Sequence, residues 1–555
     1  MKELTNRRTR RLATAAATVG GILTLCLAGS INPARANGSS LACDFNEDGK
    51  ADTVIGIPGR NVAQKEGAGA FAIRYTSGGG LLPVLYTQAG GALQGPAAGN
   101  RFGSSFACGD FNGDGHQDLA IGVPGYKNDG GAVAIYLGNG SEVLPTSLWS
   151  QNSTGIEGVR EDGDLFGFSL AAGDFNGDSK DDLAIGVPGE NVAFEGTWDD
   201  LGAVNVLRGA NGGLTATGNK IFHPGTVSVG DVMRRDGARF GHALAAGDFN
   251  DDGIADLAVG MPGAGMIEGR TDEHFERVGA VSLLVGKANS GLAKDGQLWK
   301  TFWLGTTPNR DERFGFALAV GDFDNNGVAD LAIGAPQDWL GHDFECHANV
   351  CEAQNPLPGI GAVHVRLNLA SNDGHLKPKS YYTLSQDTPG VPGSAENFDR
   401  FGFSLAAGNF DGQYGDDLAV GVPGENKRGV VNVIYSGPEG LVPEHAVYDG
   451  SDAGAADQEG QGFGYAVAAA DMSGDGVDDL MIGIPNHTTT ELHAGAVVTL
   501  SGQNVGGLGV HTYFHIGSPF FFQKWVAEHN TFSWAYPDDD WLGENEGERF
   551  GNSLR

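Results

Sequence analysis

The chain has 555 residues, 91 of them glycine, and carries 69 acidic against 35 basic side chains for a net charge of −34. Such acidity excludes a surface built for nucleic acid or anionic lipid, because both need clustered Lys and Arg. With 40% hydrophobic residues and no strict glycine triplet, disorder and a collagen helix are excluded as well.

The first element is an address. Arg7, Arg8, Arg10 and Arg11 precede a small-apolar run from Leu12 to Ala28, followed by Ala34-Arg35-Ala36. Basic head, short apolar body and small-x-small site are the order of a secretory signal, so residues 1–36 are expected to be cleaved, leaving one domain over 37–555. The body is shorter than the ~20 residues a spanning helix needs, so no stable membrane insertion is expected after cleavage. The general and twin-arginine export routes both remain open. Cys26 leaves with the signal, and Cys43, Cys108, Cys346 and Cys351 stay, an even number suited to an oxidising compartment. Cys43 and Cys108 hold neighbouring places in successive repeats, and Cys346 and Cys351 share a loop, so these are the expected pairs.

An acidic nonapeptide then recurs seven times, starting at Asp44, Asp110, Asp174, Asp248, Asp322, Asn409 and Asp471. Each copy runs into an apolar stretch ending in Pro, as in Leu119-Ala120-Ile121-Gly122-Val123-Pro124. A Gly-Ala-Val-type element follows, as at Gly131-Ala132-Val133, and then an aromatic one, at Tyr86, Trp149, Phe222, Trp299, Tyr382 and Tyr448. Short β-branched runs bounded by Gly and Pro read as strands. Four strands per unit at this period predict an all-β, seven-bladed β-propeller of four-stranded blades. Six acidic loops have Phe-Gly eight residues upstream, at Phe102, Phe166, Phe240, Phe314, Phe401 and Phe463; the first loop lacks it. Arg549-Phe550-Gly551 supplies the missing copy at the C-terminus, so the C-terminal segment is expected to complete the first blade and close the ring. Trp534, 16 residues before Phe550, is expected to be the fourth-strand aromatic of the last blade, with surplus chain at 503–530.

The loop Asp110-Phe111-Asn112-Gly113-Asp114-Gly115-His116-Gln117-Asp118 places oxygen side chains at positions 1, 3, 5 and 9. Alternate oxygens on a tight loop suit a hard cation that takes six to eight oxygens, and the flanking strands and last acid at 9 exclude an EF-hand. The expected ligands are Asp44, Asn46, Asp48 and Asp52; Asp110, Asn112, Asp114 and Asp118; Asp174, Asn176, Asp178 and Asp182; Asp248, Asn250, Asp252 and Asp256; Asp322, Asp324, Asn326 and Asp330; and Asp471, Ser473, Asp475 and Asp479. Ser179 stands where the third loop wants Gly. The loop at Asn409, with Asp411, Gln413 and Asp417, has two carboxylates and is set apart as doubtful. One such loop reads equally well as a turn that starts a hairpin; six at one place in a repeat favour about six Ca²⁺ sites.

Phe-Gly, the Asp-rich loop and Ile-Gly-Val-Pro-Gly or Ile-Gly-Ala-Pro together resemble the FG-GAP repeat, as in the N-terminal propeller of integrin α subunits. The resemblance covers residues 40–555 and implies a seven-bladed propeller with Ca²⁺ on its lower rim and ligands on the opposite face. Some integrins insert a metal-binding domain between the second and third blades; the interval from Asp110 to Asp174 leaves no room for one.

Extra length falls at about 190–201, 264–278 and 337–360, all between second and third strands and so opposite the acidic loops. Recognition loops and tolerated insertions are both open there. His342, Asp343, Glu345, Cys346, His347 and Cys351 lack regular zinc spacing, which favours a small disulfide loop. Phe520, Phe521, Phe522 and Trp525 either stack on sugars or, more in line with the common use of aromatics, pack inward. No Gly-x-Ser-x-Gly, His-Glu-x-x-His or P-loop pattern is present, and the carboxylates belong to the loops. The sequence therefore predicts an exported, non-catalytic binding or adhesion module for a protein or surface ligand. A carbohydrate-binding propeller is the alternative, ahead of a hydrolase or lyase with its site over the central channel.

Overall fold

The computed structural model describes residues 43–515, apart from 77–82, 89–92, 194–196, 228–231, 234–235, 268–273, 276, 294–297, 300–310, 339–343, 348–349, 354–358, 368–379, 453–458, 488–494 and 505–506. Seven antiparallel sheets follow one another along the chain in a ring. The second blade is representative, with strands Phe106–Gly109, Asp118–Gly122, Val133–Gly138 and Val143–Trp149 joined in sequence order. The first strands of neighbouring blades pack side by side around the axis, so strand order runs from the centre outward. The protein is a seven-bladed β-propeller.

Six blades have four strands, and the first has three among the described residues: Thr53–Ile57, Ala70–Arg74 and Val84–Thr87. Thr53–Ile57 follows the acidic loop, so it corresponds to a second strand, and the place still open in this sheet is the innermost one. Arg549–Leu554, expected there, lies outside the described residues, as does the signal segment. The ring is nevertheless closed by packing. Ala51 and Ile55 of the first blade share a buried cluster with Ala468, Met472, Met481 and Val497 of the seventh.

The two glycine motifs explain each other. In five seams the Gly that opens a third strand bridges in parallel to the Phe of the next blade's Phe-Gly, as Gly131 does to Phe166. A Cβ on Gly131 would lie 2.2 Å from both the N and O of Phe166, and a Cβ on Gly167 would lie 2.6 Å from the carbonyl oxygen of Ala132. Neither position has room for a side chain, and both have positive φ. This close approach drives six Phe rings to zero exposure between blades. Ser105, Ser169 and Ser404, two residues after Phe-Gly, donate across the seam to the carbonyls of Gly167, Gly241 and Gly464.

The expected disulfide Cys43–Cys108 is present and joins the first two blades, 65 residues apart in sequence. Opening it with a reductant is expected to lower stability by about 4 kcal/mol on loop-entropy grounds, read as a drop in denaturation midpoint that Cys43→Ser/Cys108→Ser reproduces. Cys346 and Cys351 stand directly opposite in a hairpin of Phe344–His347 with Val350–Ala353. The insertion at 190–201 also forms a hairpin, Val192–Ala193 with Thr197–Trp198. That at 264–278 pairs Gly265–Ile267 with His274–Phe275 and recruits Val232–Met233 from the preceding inter-blade loop.

One expectation is corrected. The outer strand of the seventh blade is Gly509–His515, paired with Ala496–Ser501, and Trp534 is not its aromatic. Phe514 takes the register position opposite Val497, as Trp149 does opposite Val133 and Tyr448 opposite Val431. The turn between the strands is short, so the surplus chain follows the outer strand instead of splitting the hairpin.

Candidate metal loops and the opposite face

Six acidic loops connect a first strand to a second, and the one at Asp44 leads into the second strand of the first blade, which puts all seven on one end of the ring. The position-1 carboxylate organises the loop. Asp110 accepts from the backbone N–H groups of Gly113, Asp114 and Gly115, and Asp471 from those of Gly474, Asp475 and Gly476. Position 3 turns the next corner, with Asn46 and Asn112 accepting from Asp48 and Asp114. Position 5 accepts from position 7, as Asp178 does from Lys180.

Position 9 is a buried clasp. Asp118 is fully buried; one of its oxygens accepts from Phe111 N–H and the other from Gly138 N–H at the end of the third strand. Asp52, Asp256, Asp417 and Asp479 repeat the pattern. Burial raises these acids: Asp52 and Asp479 to about 6, Asp118, Asp182 and Asp417 to about 7, and Asp256 to about 8.

Sequence reasoning missed position 8. Its N–H donates to the position-1 carbonyl of the preceding loop in six seams, ending with Ala51 to Asp471 across the ring closure. Where position 8 is Asp, the carboxylate also accepts the position-1 N–H: Asp181 from Asp110, Asp416 from Asp322, and Asp478 from Asn409. The Asp-Asp doublets at 181–182, 416–417 and 478–479 were the available signal.

The donors present fit a hard cation. Asp322, Asp324 and Asp330 bring one oxygen each within 4.8 Å of one another. In the fourth loop the Asn250 side-chain oxygen is buried without a hydrogen-bond partner. The first, second, third and seventh loops hold Asn or Ser at position 3, and among the described residues no other acidic trio converges this closely. The sixth loop differs in kind. The Asn409 side-chain oxygen is buried without a partner, so the carboxylate clamp on positions 5 and 6 is missing.

Position 6 has positive φ in every loop, including Ser179 at 65° and Tyr414 at 43°. The left-handed region disfavours a Cβ by roughly 1–2 kcal/mol. Ser179→Gly is therefore expected to raise stability by about 0.5–1 kcal/mol after glycine's extra unfolded-state entropy, checked by the shift in denaturant midpoint.

The opposite end carries a feature with no counterpart among the sequence expectations. The residue after Phe-Gly is Phe168, His242, Phe316, Phe403 and Tyr465 in blades three to seven. Their rings form a continuous ladder with centroid separations of 5.1, 5.0, 5.2 and 4.8 Å. All five are half-buried. They precede the first strands, so they ring the channel on the face away from the acidic loops. Burial, with Arg239 and Arg313 nearby, lowers His242 to about 3 and keeps its ring neutral.

Comparison with known proteins bears on this arrangement directly. The FG-GAP repeat family matches residues 102–136, 166–207, 240–284, 314–341 and 463–500, which are the second, third, fourth, fifth and seventh units. Integrin alpha-PS2 of Drosophila melanogaster is 38% identical over 239 residues, covering 42% of this chain and 15% of its own length. In these five segments the chain carries FG-GAP repeats, and it is similar there to integrin α subunits. Integrin alpha-V of Gallus gallus is 32% identical over 240 residues, 42% of this chain and 20% of its own. Phosphatidylinositol-glycan-specific phospholipase D of Homo sapiens is 34% identical over 172 residues, 29% of this chain and 19% of its own. The chain thus spans a fifth or less of these relatives. Among the described residues no helix is long and apolar enough to cross a membrane.

Proposed function

We propose that this FG-GAP propeller is an exported, calcium-stabilised binding module that presents the face opposite its acidic loops to a protein or surface ligand. The aromatic ladder of Phe168, His242, Phe316, Phe403 and Tyr465 carries the reading. Five half-buried rings at one channel mouth, with Arg239 and Arg313 beside them, offer apolar contact area, and aromatic side chains dominate binding energetics at interfaces. The hairpins at 192–198, 265–275 and 344–353 rise on the same face.

The six acidic loops would hold calcium through positions 1, 3, 5 and 9, supplying three carboxylates per site. Calcium there would act as a structural tie, since the same loops already hold the seams together. The match to a protein named as a phospholipase D involves 19% of that protein.

The test is a pull-down from the native surface with the mature protein and with Phe316→Ala/Phe403→Ala. A protein captured by the first and lost with the second supports the reading. Equal capture by both removes the ladder from the interface, glycan-array binding favours the carbohydrate alternative, and saturable turnover of a polymer or phosphodiester sinks the non-catalytic assignment.

A further inference from the structure

Two buried acid pairs lie on the face away from the metal loops, and they are copies of each other. Gln151, Asp164 and Glu190 recur as Gln386, Asp399 and Glu425 with identical spacings of 13 and 26 residues. The surrounding turns match too. Ser150 N–H donates to the Ser153 hydroxyl and Ser385 N–H to that of Thr388. Gly189 and Gly424, following the prolines, donate to the carbonyls of Asp164 and Asp399, which seats each Glu beside its Asp. All six side chains are at most 9% exposed. The Gln151 amide donates to Glu190 and the Gln386 amide to Glu425. One oxygen of each Asp accepts a backbone N–H, from Glu161 and Glu396 respectively.

What remains is a surplus of acceptors. The side-chain oxygens of Gln151 and Gln386 and the second carboxylate oxygen of Asp164 are buried with no hydrogen-bond partner. The molecule supplies its own control in the preceding repeat, where the corresponding residues are Gln88, Asn100 and Tyr126. There the Asn100 amide donates to the Gln88 oxygen at 2.6 Å and Gln88 donates to Leu93 O, so every group is paired. With two acids in place of Asn and Tyr, the Gln amides turn to the glutamates, Asn426 also donates to Glu425, and the oxygens of Gln151 and Gln386 and one of Asp164 are left without a donor.

We infer that Gln151, Asp164 and Glu190, and likewise Gln386, Asp399 and Glu425, form two internal sites for a divalent, oxygen-seeking cation of the calcium class. Two carboxylates balance its charge and the amide oxygen adds a neutral ligand. Two acids left side by side in a buried site must otherwise take up a proton. Burial pushes Asp164 and Glu190 up to about 7, and burial reinforced by Glu425 and Glu396 pushes Asp399 up to about 8. The groups facing Asp164 are Glu190, Glu161 and Arg160; Arg160 is committed to Lys127 O and Asp162. A cation here would tie the loop after Pro-Gly to the inter-blade strap before Phe-Gly, stiffening the ladder's rim at blades three and six. It goes beyond the calcium reading of the acidic loops and stands if those loops prove empty.

Equilibrium dialysis of the full mature chain against calcium alone tests it. Glu190→Gln and Glu425→Gln are each expected to remove one bound ion per chain, and the double variant two. Asp110→Asn, in a loop of the other face, should leave that difference unchanged. An unaltered stoichiometry in both single variants, with stability that improves at pH 8, identifies a shared proton and overturns the inference. If a variant does not fold, anomalous diffraction from crystals of the unaltered protein soaked in Mn²⁺ decides. Peaks between Asp164 and Glu190 and between Asp399 and Glu425 support it, and peaks in the acidic loops alone refute it.

Discussion

Gly131→Ala is expected to cost about 4 kcal/mol, enough to unfold many domains of ordinary stability. The added Cβ would meet the N and O of Phe166 at 2.2 Å, and these are backbone atoms of the next blade that cannot rotate away. Relief requires the seam to open, which exposes Phe166 and loosens the cluster that it shares with Val133, Ile185 and Leu207. Overpacking contributes about 1–3 kcal/mol and the left-handed φ of 78° roughly 1–2 more. Gly115→Ala separates the two effects. Its φ is 90° but nothing lies within 4 Å of the added carbon, so it should lose only the conformational part. Equal losses in urea denaturation would show that the close approach between blades carries no energy.

That seam also shows what the sequence made legible. Seven copies of one unit identify blade number and strand order, because a repeat that cannot bury its own faces must stack. The pairing of Gly131 with Phe166 is invisible until the ring is built, since it joins residues of different units. The ladder was missed for a similar reason: Phe168, His242, Phe316, Phe403 and Tyr465 follow Phe-Gly without a common identity, and only their shared radius makes them one surface. The buried acid pairs required knowing that the turn after Pro-Gly folds onto the strap before Phe-Gly, a contact across 26 residues. The last blade was misjudged because Trp534 matched a spacing while Phe514 matched the register, and register decides which side chains meet.

Chelation of calcium is expected to lower the melting temperature, and by more at pH 8 than at pH 5. A ligand that binds only the folded chain contributes about 1.4 kcal/mol per site at a tenfold excess over Kd, or about 8 kcal/mol across six independent loops. The pH dependence comes from the position-9 acids. Burial raises Asp52 and Asp479 to about 6, Asp118 and Asp182 to about 7, and Asp256 to about 8, against roughly 3.9 for an unfolded aspartate. The cation-free folded state therefore holds more protons than the unfolded state over that range. Its stability is fullest below pH ~4 and declines as pH rises through about 6 to 8. Calcium takes the ionised carboxylates as ligands and releases those protons, so its stabilisation grows over the same window and cancels the decline. Asp417, raised to about 7 in the loop without a position-1 carboxylate, should keep its share of the decline even with calcium present. Asp417→Asn would then flatten the residual slope in the calcium-loaded protein. A melting temperature at pH 8 that ignores both calcium and chelator would remove calcium from the loops and leave their acids as hydrogen-bonding clasps alone.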